Sequence, residues 1–314
     1  MYFPYLRGKQ FELIAIREMA EIMSASGKII PIIEPVKEVS SFKKTFEALH
    51  QHNLEYCFIM NARVGSMDPD QTLNFLSTFK EKGQSIYTFI IDNKTNITSM
   101  LEFIQNHLDF QHQRVAFIHK TPPVDPENFD KLITTIPAKY NLVDENFPRR
   151  YRRSIRNHYS GQNNNLVLLG DRFRIKERNS DYQENLDEFF SDDPFFYKEE
   201  NYIGFSDFLT IGDEYSELGF TPHAVAFHLT YPKEEEIWVK HFVSDTIDDD
   251  AKKVAAKTHE AMKKAAEFIH ENNLNTGAAR EIQQMAKNEN YRGLGYLKKL
   301  SIKHHIELIN QIMQ

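Results

Sequence analysis

Short apolar runs alternate with amphipathic stretches over the first part of the chain. Each run is nearly continuous in apolar residues, which is typical of strands that are covered on both faces in a parallel sheet. The stretches between the runs place large apolar residues three and four positions apart, as in Phe42, Phe46 and Leu49, and this spacing predicts helices. The predicted strands are Ile29–Glu34, Tyr56–Asn61, Ile86–Asp92, Val115–His119, Tyr140–Asp144 and Leu166–Gly170.

The regular alternation of predicted strands and helices favours a (β/α) barrel over an open sheet. The runs recur at nearly constant intervals, the length of one βα unit, and right-handed connections between such units build a barrel. No GxGxxG motif follows the first predicted strand, which argues against a dinucleotide-binding sheet. The last two barrel strands are predicted at Asp207–Ile211 and Ala224–Thr230. Their neighbour Ile237–Val243 would pair antiparallel, so the predicted α/β fold is TIM-barrel-like, with a barrel that is either incomplete or elaborated.

Two segments interrupt this alternation and define the predicted domain organisation. Residues 172–201 are strongly charged, which predicts a solvated insertion or lid. From Asp249 onward the chain changes character, and helices are predicted at Ala251–Glu271, Thr276–Ala286 and Leu297–Met313. We therefore expect a barrel-like domain over residues 1–246 with the charged insertion 172–201. A helical C-terminal extension over residues 247–314 is expected to pack on that barrel.

Composition and charge exclude several classes of protein. Hydrophobic residues make up 41% of the chain and charged residues 26%, which supports a folded core. The net charge of -7 argues against a general nucleic-acid coat and leaves a local basic patch open. The single cysteine, Cys57, excludes an intramolecular disulfide and lies in an apolar run, which predicts a buried, inert thiol. No apolar run reaches the ~20 residues that span a bilayer and no signal peptide is evident, so we expect a cytoplasmic protein without a membrane partner.

Polar residues follow nearly every predicted strand, at the position where barrels carry their active sites. Any one of them is readily interpreted as a helix cap or a rim ion pair, but their repetition at one topological position favours a polar barrel mouth. Their oxygen and imidazole donors also suit a divalent metal, a candidate cofactor whose ligands are unknown because no HxH or HExxH motif is present. The residues are Glu34, Asn61, Arg63, Asp92, Lys94, His119, Lys120, Asp144, Glu145, Asp171, Arg172 and His228.

A cluster of arginines after the fifth predicted strand is the strongest local charge signal in the chain. Arg149, Arg152 and Arg153 would share one face of a helix, where guanidinium groups can bind phosphate bidentately. The alternative is a solvated helix face that pairs with the acidic residues of segment 181–200. The first interpretation predicts a phosphate-binding surface, and the second predicts only a local charge balance.

A second candidate anion site lies near the C-terminus. Gly293 and Gly295 precede a predicted helix whose first N–H groups are free to receive an anion. Lys298, Ser301 and His305 would share one face of this helix and could bind a phosphate. The motif lacks the GK[ST] core of a P-loop, and a structural or interface role is the alternative.

Further candidate functional residues lie near the N-terminus and in the last predicted strands. Asp207 lies in a predicted strand, where an aspartate is disfavoured unless it has a partner. His228 and His241 lie on the paired strands of the predicted hairpin and would flank a ligand if both face one side; a pair of satisfied core histidines is the alternative. Arg7 and Lys9 precede an amphipathic helix and would either bring cations to the barrel mouth or seal its opposite end.

Several segments together resemble one bacterial family that is related to the phage “beta protein” group. The segments are YFPYLRGKQFELIAIRE, IIPIIEPV, YIGFSDFLTIGDEY, AVAFHLTY, VKHFVSD and GLGYLKKLSIKHHIEL. The resemblance extends over essentially the whole chain and implies a barrel-like fold and, by analogy with phage and mobile-element genes, a defence or anti-host role, but no particular reaction. The residues it singles out are Arg7, Lys9, Glu12, Glu34, Asp207, His228, His241, Asp245, Lys298, Lys299, Ser301, His304 and His305.

These observations lead to two hypotheses about function. The first is a barrel-type enzyme that acts on a phosphate-bearing substrate, a nucleotide or a nucleic-acid end, by acid/base or metal-assisted hydrolysis. The second is a non-catalytic binding or adaptor subunit of a phage-defence or toxin-type complex, with a protein partner encoded by a neighbouring gene. In the first hypothesis the catalytic candidates are Glu34, Asp171, Asp207, His228 and His241, and the phosphate-binding candidates are Arg7, Lys9, Arg149, Arg152, Arg153, Lys298, Ser301 and His305.

Overall fold

The computed structural model describes residues 1–79, 84–109, 114–122, 124–158, 164–215, 222–248, 250–290 and 292–314. These residues divide into two compact units. The barrel unit comprises Met1–Leu13, Ala20–Gly170 and Phe196–Asp207. The sheet unit comprises Ile14–Met19, Asp171–Phe195 and Phe208–Gln314.

Strands and helices follow one another in βα order through the first half of the chain. In chain order the strands are β1 Tyr2–Leu6, β2 Ile32–Ile33, β3 Tyr56–Ile59, β4 Ser85–Ile91, β5 Arg114–His119, β6 Ala138–Asp144, β7 Leu166–Leu169, β8 Asp187–Ser191, β9 Gly204–Asp207, β10 Ala226–Lys233 and β11 Glu236–Val243. The α-helices are α1 Gln10–Ser26, α2 Ser41–Gln51, α3 Pro69–Ser77, α4 Ile97–His107, α5 Pro126–Thr135, α6 Arg149–His158, α7 Asp193–Phe196, α8 Val254–Glu271, α9 Gly277–Lys287 and α10 Leu294–Ile312.

The barrel unit contains a closed, all-parallel barrel in the order β1-β2-β3-β4-β5-β6-β7-β9. The ring closes through β1, which pairs with β2 on one side and with β9 on the other, as in the register pairs Tyr5 with Ile32 and Tyr2 with Phe205. The predicted TIM-barrel-like fold is therefore confirmed, and the barrel is complete. Cys57 lies buried on β3, which confirms its predicted burial, and burial raises the pKa of its thiol to about 12.

The structure corrects the first and last barrel strands. Tyr2–Leu6, which was not predicted as a strand, is β1; Pro4 lacks an N–H and interrupts the strand pattern of this segment. The strand predicted at Asp207–Ile211 is found at Gly204–Asp207. The strand predicted at Ala224–Thr230 is wrong as a barrel strand, because β10 pairs antiparallel with β11. The barrel closes without β10, because β1 pairs with β9 at the position that β10 was predicted to occupy.

Side-chain alternation along the strands separates the barrel interior from the surface that faces the helices. Phe3 on β1 and Tyr140 on β6 have ring centroids 5.0 Å apart although their strands are not neighbours, so both rings lie inside the barrel. Phe58 on β3 instead contacts Phe42 of α2, so the side chain of Phe58 lies on the outer face of the barrel. Residues an even number of positions from Phe3 along β1, or from Tyr140 along β6, are in step with them and therefore point into the barrel interior.

Side-chain caps fix the points at which three barrel helices begin. Asp68, Asn96 and Asp125 each accept a hydrogen bond from the backbone N–H three residues later, at 2.8, 3.0 and 3.1 Å. Each bond satisfies one N–H that has no partner within the helix. These caps belong to α3, α4 and α5, so they anchor the loops that leave the carboxyl ends of β3, β4 and β5.

The sheet unit is built on a three-stranded antiparallel sheet in the order β10-β11-β8. The helices α8, α9 and α10 confirm the predicted helical character of the C-terminal part of the chain. They share a buried apolar cluster with one face of the sheet, in which Phe227 and Phe242 of the sheet meet Met262, Ile282 and Leu300 of the helices. The charged segment 172–201 supplies β8, α7 and a short 3-10 helix at Asn179–Glu184. No helix of the described residues is long and apolar enough to cross a membrane.

Candidate functional site

Glu34 is the centre of a hydrogen-bonded cluster at the C-terminal mouth of the barrel. Glu34 directly follows β2, and Tyr5 and Arg7 lie at the corresponding end of β1. Oε2 of Glu34 accepts a hydrogen bond from the Tyr5 hydroxyl at 2.8 Å and another from the Arg7 guanidinium. Oε1 accepts one from the backbone N–H of Arg63 at 2.7 Å. Glu34 is 0% exposed and Arg7 is 6% exposed, so the ion pair is shielded from water.

Arg63 connects this cluster to the loop that follows β4. Its Nε and Nη2 donate to the two oxygens of Asp92 at 2.6 and 3.0 Å, the paired geometry in which arginine binds a carboxylate most strongly. Thr95 contributes a further hydrogen bond to Asp92 at 2.8 Å. Burial would raise the pKa of Asp92, but the hydrogen bonds from Arg63 and Thr95 outweigh it and hold the pKa below its usual range.

Two cations lie against the ring of Tyr5. The Arg7 guanidinium carbon is 5.0 Å from the ring centroid, and Nζ of the half-buried Lys120 is 5.7 Å from it. Both distances are within the range of a cation–π contact. The residues Tyr5, Arg7, Glu34, Arg63, Asp92 and Lys120 form what we call the mouth cluster.

Asp144 ends β6 on the interior face, since it keeps step with Tyr140 along that strand. It is half-buried, and its Oδ1 accepts a hydrogen bond from the backbone N–H of Asn146 at 2.8 Å. Within the described residues its other oxygen, Oδ2, has no hydrogen-bond partner. Asp144 is therefore a carboxylate of the mouth with an oxygen still available to accept a proton.

A cavity of about 460 Å³ adjoins the mouth cluster on the side of β3 and β4. Its charged lining residues are Arg63, Lys94, Asp68 and Asp70, and the rings of Phe89 and Phe103, with centroids 6.2 Å apart, line its apolar side. A cavity of this size accommodates a small organic ligand. The aromatic wall suits a ligand with a flat apolar part, and the charged lining residues include both signs.

The structure brings some of the predicted barrel residues together and separates others. Glu34 and Arg7 are in contact, and Glu12 is close to them because it accepts a hydrogen bond from the Arg7 backbone N–H at 2.7 Å. Lys9 is half-buried and precedes α1. Asp207 lies apart from the mouth cluster: it accepts a hydrogen bond from the Tyr2 hydroxyl at 2.8 Å, and both residues are out of step with Phe3 and hence on the outer face.

The predicted arginines lie on α6, outside the barrel wall. Arg149 and Arg153 are exposed and Arg152 is half-buried, and no ion pair within the described part of the barrel unit involves them. Tyr151 and the buried Ile155 attach the helix to the barrel. The part of segment 181–200 that belongs to the barrel unit, 196–200, forms no ion pair with these arginines, and the alternative of a locally balanced helix face stays a prediction.

His228 and His241 lie on the paired strands β10 and β11 of the sheet unit, as predicted, and their side chains face each other. They are direct register partners, and their Nδ1 atoms are 2.7 Å apart. Burial lowers the pKa of His228 well below its ordinary value, with a further contribution from His241. Burial also lowers the pKa of His241 to about 4, against the opposing effect of Glu188.

The remaining predicted residues also belong to the sheet unit. Ser301 is buried and donates to the backbone carbonyl of His228 at 2.5 Å, and His305 is buried with its Nδ1 2.8 Å from the Thr230 hydroxyl. Lys298 is half-buried on α10. Asp171 is exposed and accepts a hydrogen bond from the backbone N–H of Asp213 at 3.0 Å. These residues do not meet at one point: Ser301 and His305 attach α10 to the edge strand β10.

The strand-end residues of the mouth, including its central Glu34, were predicted from the sequence, but Tyr5 was not. Arg63, Asp92, Lys120 and Asp144 were predicted as strand-end residues of a polar mouth. Tyr5 was missed because β1 was not predicted, although a tyrosine two positions before Arg7 is the signal that would have shown it once the strand was known.

The fold and the mouth define an α/β barrel protein with a charged C-terminal mouth. Among the described residues, no group of three or more His, Cys, Asp and Glu side chains could hold a metal ion. No protein-family model, no curated protein and no solved structure matches the chain.

Proposed function

We propose that the barrel unit is an enzyme that acts on a phosphate-bearing substrate, and that this substrate is the end of a nucleic-acid strand. The observation that carries the proposal is the arginine face of α6, formed by Arg149, Arg152 and Arg153. The guanidinium groups of the mouth are already engaged, Arg7 with Glu34 and Arg63 with Asp92. The arginines of α6 have no such partner within the described part of the barrel unit, so they can bind phosphate without first breaking an ion pair.

The course of α6 favours a polymer over a single nucleotide. α6 begins at Arg149, shortly after β6 ends at Asp144, and so it starts on the side of the mouth and runs back along the barrel wall. From Arg149 to Arg153 the helix advances by roughly 6 Å, at about 1.5 Å per residue. That length is comparable to the spacing of successive phosphates along a single strand. A strand whose end reaches the mouth would therefore pass along the arginine face.

The mouth supplies the groups that a hydrolytic reaction needs. Asp144 carries an oxygen that can accept a proton from water, and Lys120 can stabilise negative charge that develops on a phosphate. Glu34 is fully buried with both oxygens occupied, so we assign it to holding Arg7 and the Arg63 backbone in place. The flat apolar side of the adjoining cavity suits a nucleobase.

The experiment that tests binding uses a fluorescently labelled single-stranded oligonucleotide and compares two triple variants by anisotropy. Arg149→Gln/Arg152→Gln/Arg153→Gln should weaken binding and flatten its dependence on salt, because fewer counterions are released. Lys37→Gln/Lys43→Gln/Lys44→Gln removes the same charge from exposed positions of the same unit and should bind as the unaltered protein does. Equal affinities of the two variants would contradict the proposal.

Turnover is tested separately with the same oligonucleotide bearing a terminal phosphate, with and without added Mg²⁺. Release of phosphate or of a nucleotide is expected from the unaltered protein, and Asp144→Asn should abolish that release while leaving oligonucleotide binding in place. Unchanged turnover in Asp144→Asn would remove Asp144 from the mechanism.

A second candidate function is a binding subunit that performs no reaction. The specific observation in its favour is that both carboxylates of the mouth cluster, Glu34 and Asp92, have their oxygens occupied by donors from Tyr5, Arg7 and Arg63. Oligonucleotide binding that depends on α6, combined with no turnover under any metal condition, would favour this second function. A protein partner would then supply the reaction, as the adaptor hypothesis expects.

A further inference from the structure

His228 and His241 occupy a pair of positions at which two antiparallel strands bring their side chains unusually close. The backbone N–H of His241 donates to Leu186 on the far side of β11, and the carbonyl of His228 accepts from Ser301 on the outer edge of β10. The two residues are therefore a non-hydrogen-bonded pair, in which facing side chains are nearest. This geometry explains why their Nδ1 atoms approach to 2.7 Å.

Two imidazole nitrogens at this distance must share one proton, so one ring donates and the other accepts. The position of Glu188 determines which of the two rings donates. Its Oε2 is 3.8 Å from Nε2 of His241, a nitrogen that is buried and has no hydrogen-bond partner. The other oxygen of Glu188 is held by Asn185 at 3.1 Å and faces Lys176 at 3.4 Å.

A carboxylate beside a ring nitrogen favours the proton on that nitrogen. His241 therefore carries its proton on Nε2, toward Glu188, and accepts at Nδ1. His228 must then donate from Nδ1, which leaves the lone pair of its own Nε2 available. No hydrogen bond of the described residues uses this Nε2, and His228 is half-buried where His241 is 1% exposed.

We propose that Nε2 of His228 is the proton acceptor of a second binding site, in the sheet unit, oriented through His241 by Glu188. The rings of Phe173 and Tyr182 lie beside His228, with centroids 5.0 and 4.6 Å from its own. An acceptor flanked by aromatic rings suits a neutral ligand that presents a hydroxyl group on an aromatic body. This site is independent of the function proposed for the barrel unit.

Burial keeps the acceptor available in mildly acidic solution. The titratable and charged groups that face the pair are Glu188 and Asp187 of β8, Lys176, and Tyr182 of the 3-10 helix. Burial, together with His241, keeps the pKa of His228 well below its ordinary value, so the ring stays neutral at pH values where an ordinary histidine is protonated.

The tautomers are tested directly by long-range ¹H–¹⁵N correlation spectra of the full chain with labelled histidine. The expected result is a proton on Nδ1 of His228 and on Nε2 of His241. Glu188→Gln, which keeps the shape of the side chain but removes its charge, should weaken this preference. A proton on Nε2 of His228 in the unaltered protein would overturn the proposal.

Reactivity of the lone pair gives a second, independent measurement. Diethyl pyrocarbonate acylates neutral imidazole nitrogens, and peptide mass spectrometry locates the modified residue. His228 should be modified in mildly acidic as well as in neutral solution, and His304, whose nitrogens are engaged by Thr276 and the Thr230 carbonyl, should not. Exposed His270 serves as the reference for reagent activity. Protection of His228 at every pH would contradict an available Nε2.

The ligand class is tested with the matched pair phenol and anisole. Phenol can donate a hydrogen bond to Nε2 of His228, whereas anisole has the same ring and no donor. Phenol should shift the ¹⁵N resonance of Nε2 and slow the modification of His228, and anisole should do neither. Equal effects of the two compounds would show that the aromatic rings bind the ligand without using His228 and would reject its role as acceptor.

Discussion

The guanidinium of Arg7 and the carboxylate of Glu34 form an ion pair inside the barrel mouth, where Arg7 is 6% exposed and Glu34 is 0% exposed. Glu34 also receives the Tyr5 hydroxyl and the backbone N–H of Arg63, so a single carboxylate joins β1, β2 and the loop after β3. A charge buried in this way is tolerated only while its partners remain in place. A change that displaces Arg7, Tyr5 or the Arg63 backbone from Glu34 is therefore expected to destabilise the barrel as well.

Removal of one member of this pair should destabilise the protein strongly. Glu34→Ala removes the carboxylate that contacts the buried Arg7 guanidinium, and we expect a loss of about 3–5 kcal/mol in the free energy of unfolding. Urea unfolding followed by circular dichroism measures it. The double variant Arg7→Met/Glu34→Leu removes both charges and should lose less than Glu34→Ala alone. A double variant that is less stable than the single variant would show that the charges themselves stabilise the mouth.

The barrel could be predicted from the sequence because its central strands are continuous apolar runs, whereas its first and last strands do not follow that pattern. Tyr2–Leu6 contains Pro4, and Ala226–Lys233 is as apolar as a barrel strand although it pairs antiparallel with β11. Strand order depends on contacts between distant segments, and local patterns do not encode it.

The candidate site, like the fold, could be predicted only in part: its residues could be identified from the sequence, but not all of their contacts. The rule that polar residues at strand ends line a barrel mouth identified Glu34, Arg63 and Asp92. It could not identify which of them pair, because the Arg63–Asp92 contact spans 29 positions in the sequence. The pairing of His228 with His241 was predictable because a short hairpin fixes its own register.

Acidification should weaken the barrel through His119. This residue is buried on β5 with Nε2 2.9 Å from Oδ1 of Asn141, and burial lowers its pKa to about 4, although the Asn141 hydrogen bond acts in the opposite direction. The unfolded chain takes up a proton on His119 below about pH 6.5, and the folded chain does so only near pH 4, so stability falls as the pH decreases through this window.

The variant His119→Gln isolates this contribution. It cannot be protonated, so its free energy of unfolding should fall less between about pH 7 and pH 4 than that of the unaltered protein, by a difference of about 3 kcal/mol. Urea unfolding at a series of pH values measures both proteins. Parallel pH profiles would mean that His119 is protonated equally in the folded and unfolded states.

Gly65 should not tolerate a side chain, because its loop passes directly over Val36. Its φ is +82°, and an added Cβ would lie 1.9 Å from the Val36 carbonyl oxygen. Gly65→Ala must therefore move the loop that carries Arg63, and we expect a loss of more than about 3 kcal/mol. Gly27→Ala is the matched control: its φ is +61° with no atom within 4 Å of the added Cβ, so only about 1–2 kcal/mol of backbone strain is expected. Similar melting temperatures for the two variants would contradict the steric explanation.

Ser301 should contribute to stability by covering the free edge of β10. Its hydroxyl donates to the His228 carbonyl at 2.5 Å and lies 2.6 Å from the Thr210 hydroxyl, and the residue is 4% exposed. Ser301→Ala leaves both partners buried with one hydrogen bond fewer, so the free energy of unfolding should decrease by about 1–3 kcal/mol. Ser77→Ala, at an exposed helix position, should change it by less than about 0.5 kcal/mol. If Ser301→Ala is as stable as Ser77→Ala, the attachment of α10 to β10 rests on His304 and His305, whose bonds to Thr230 lie one helical turn further along.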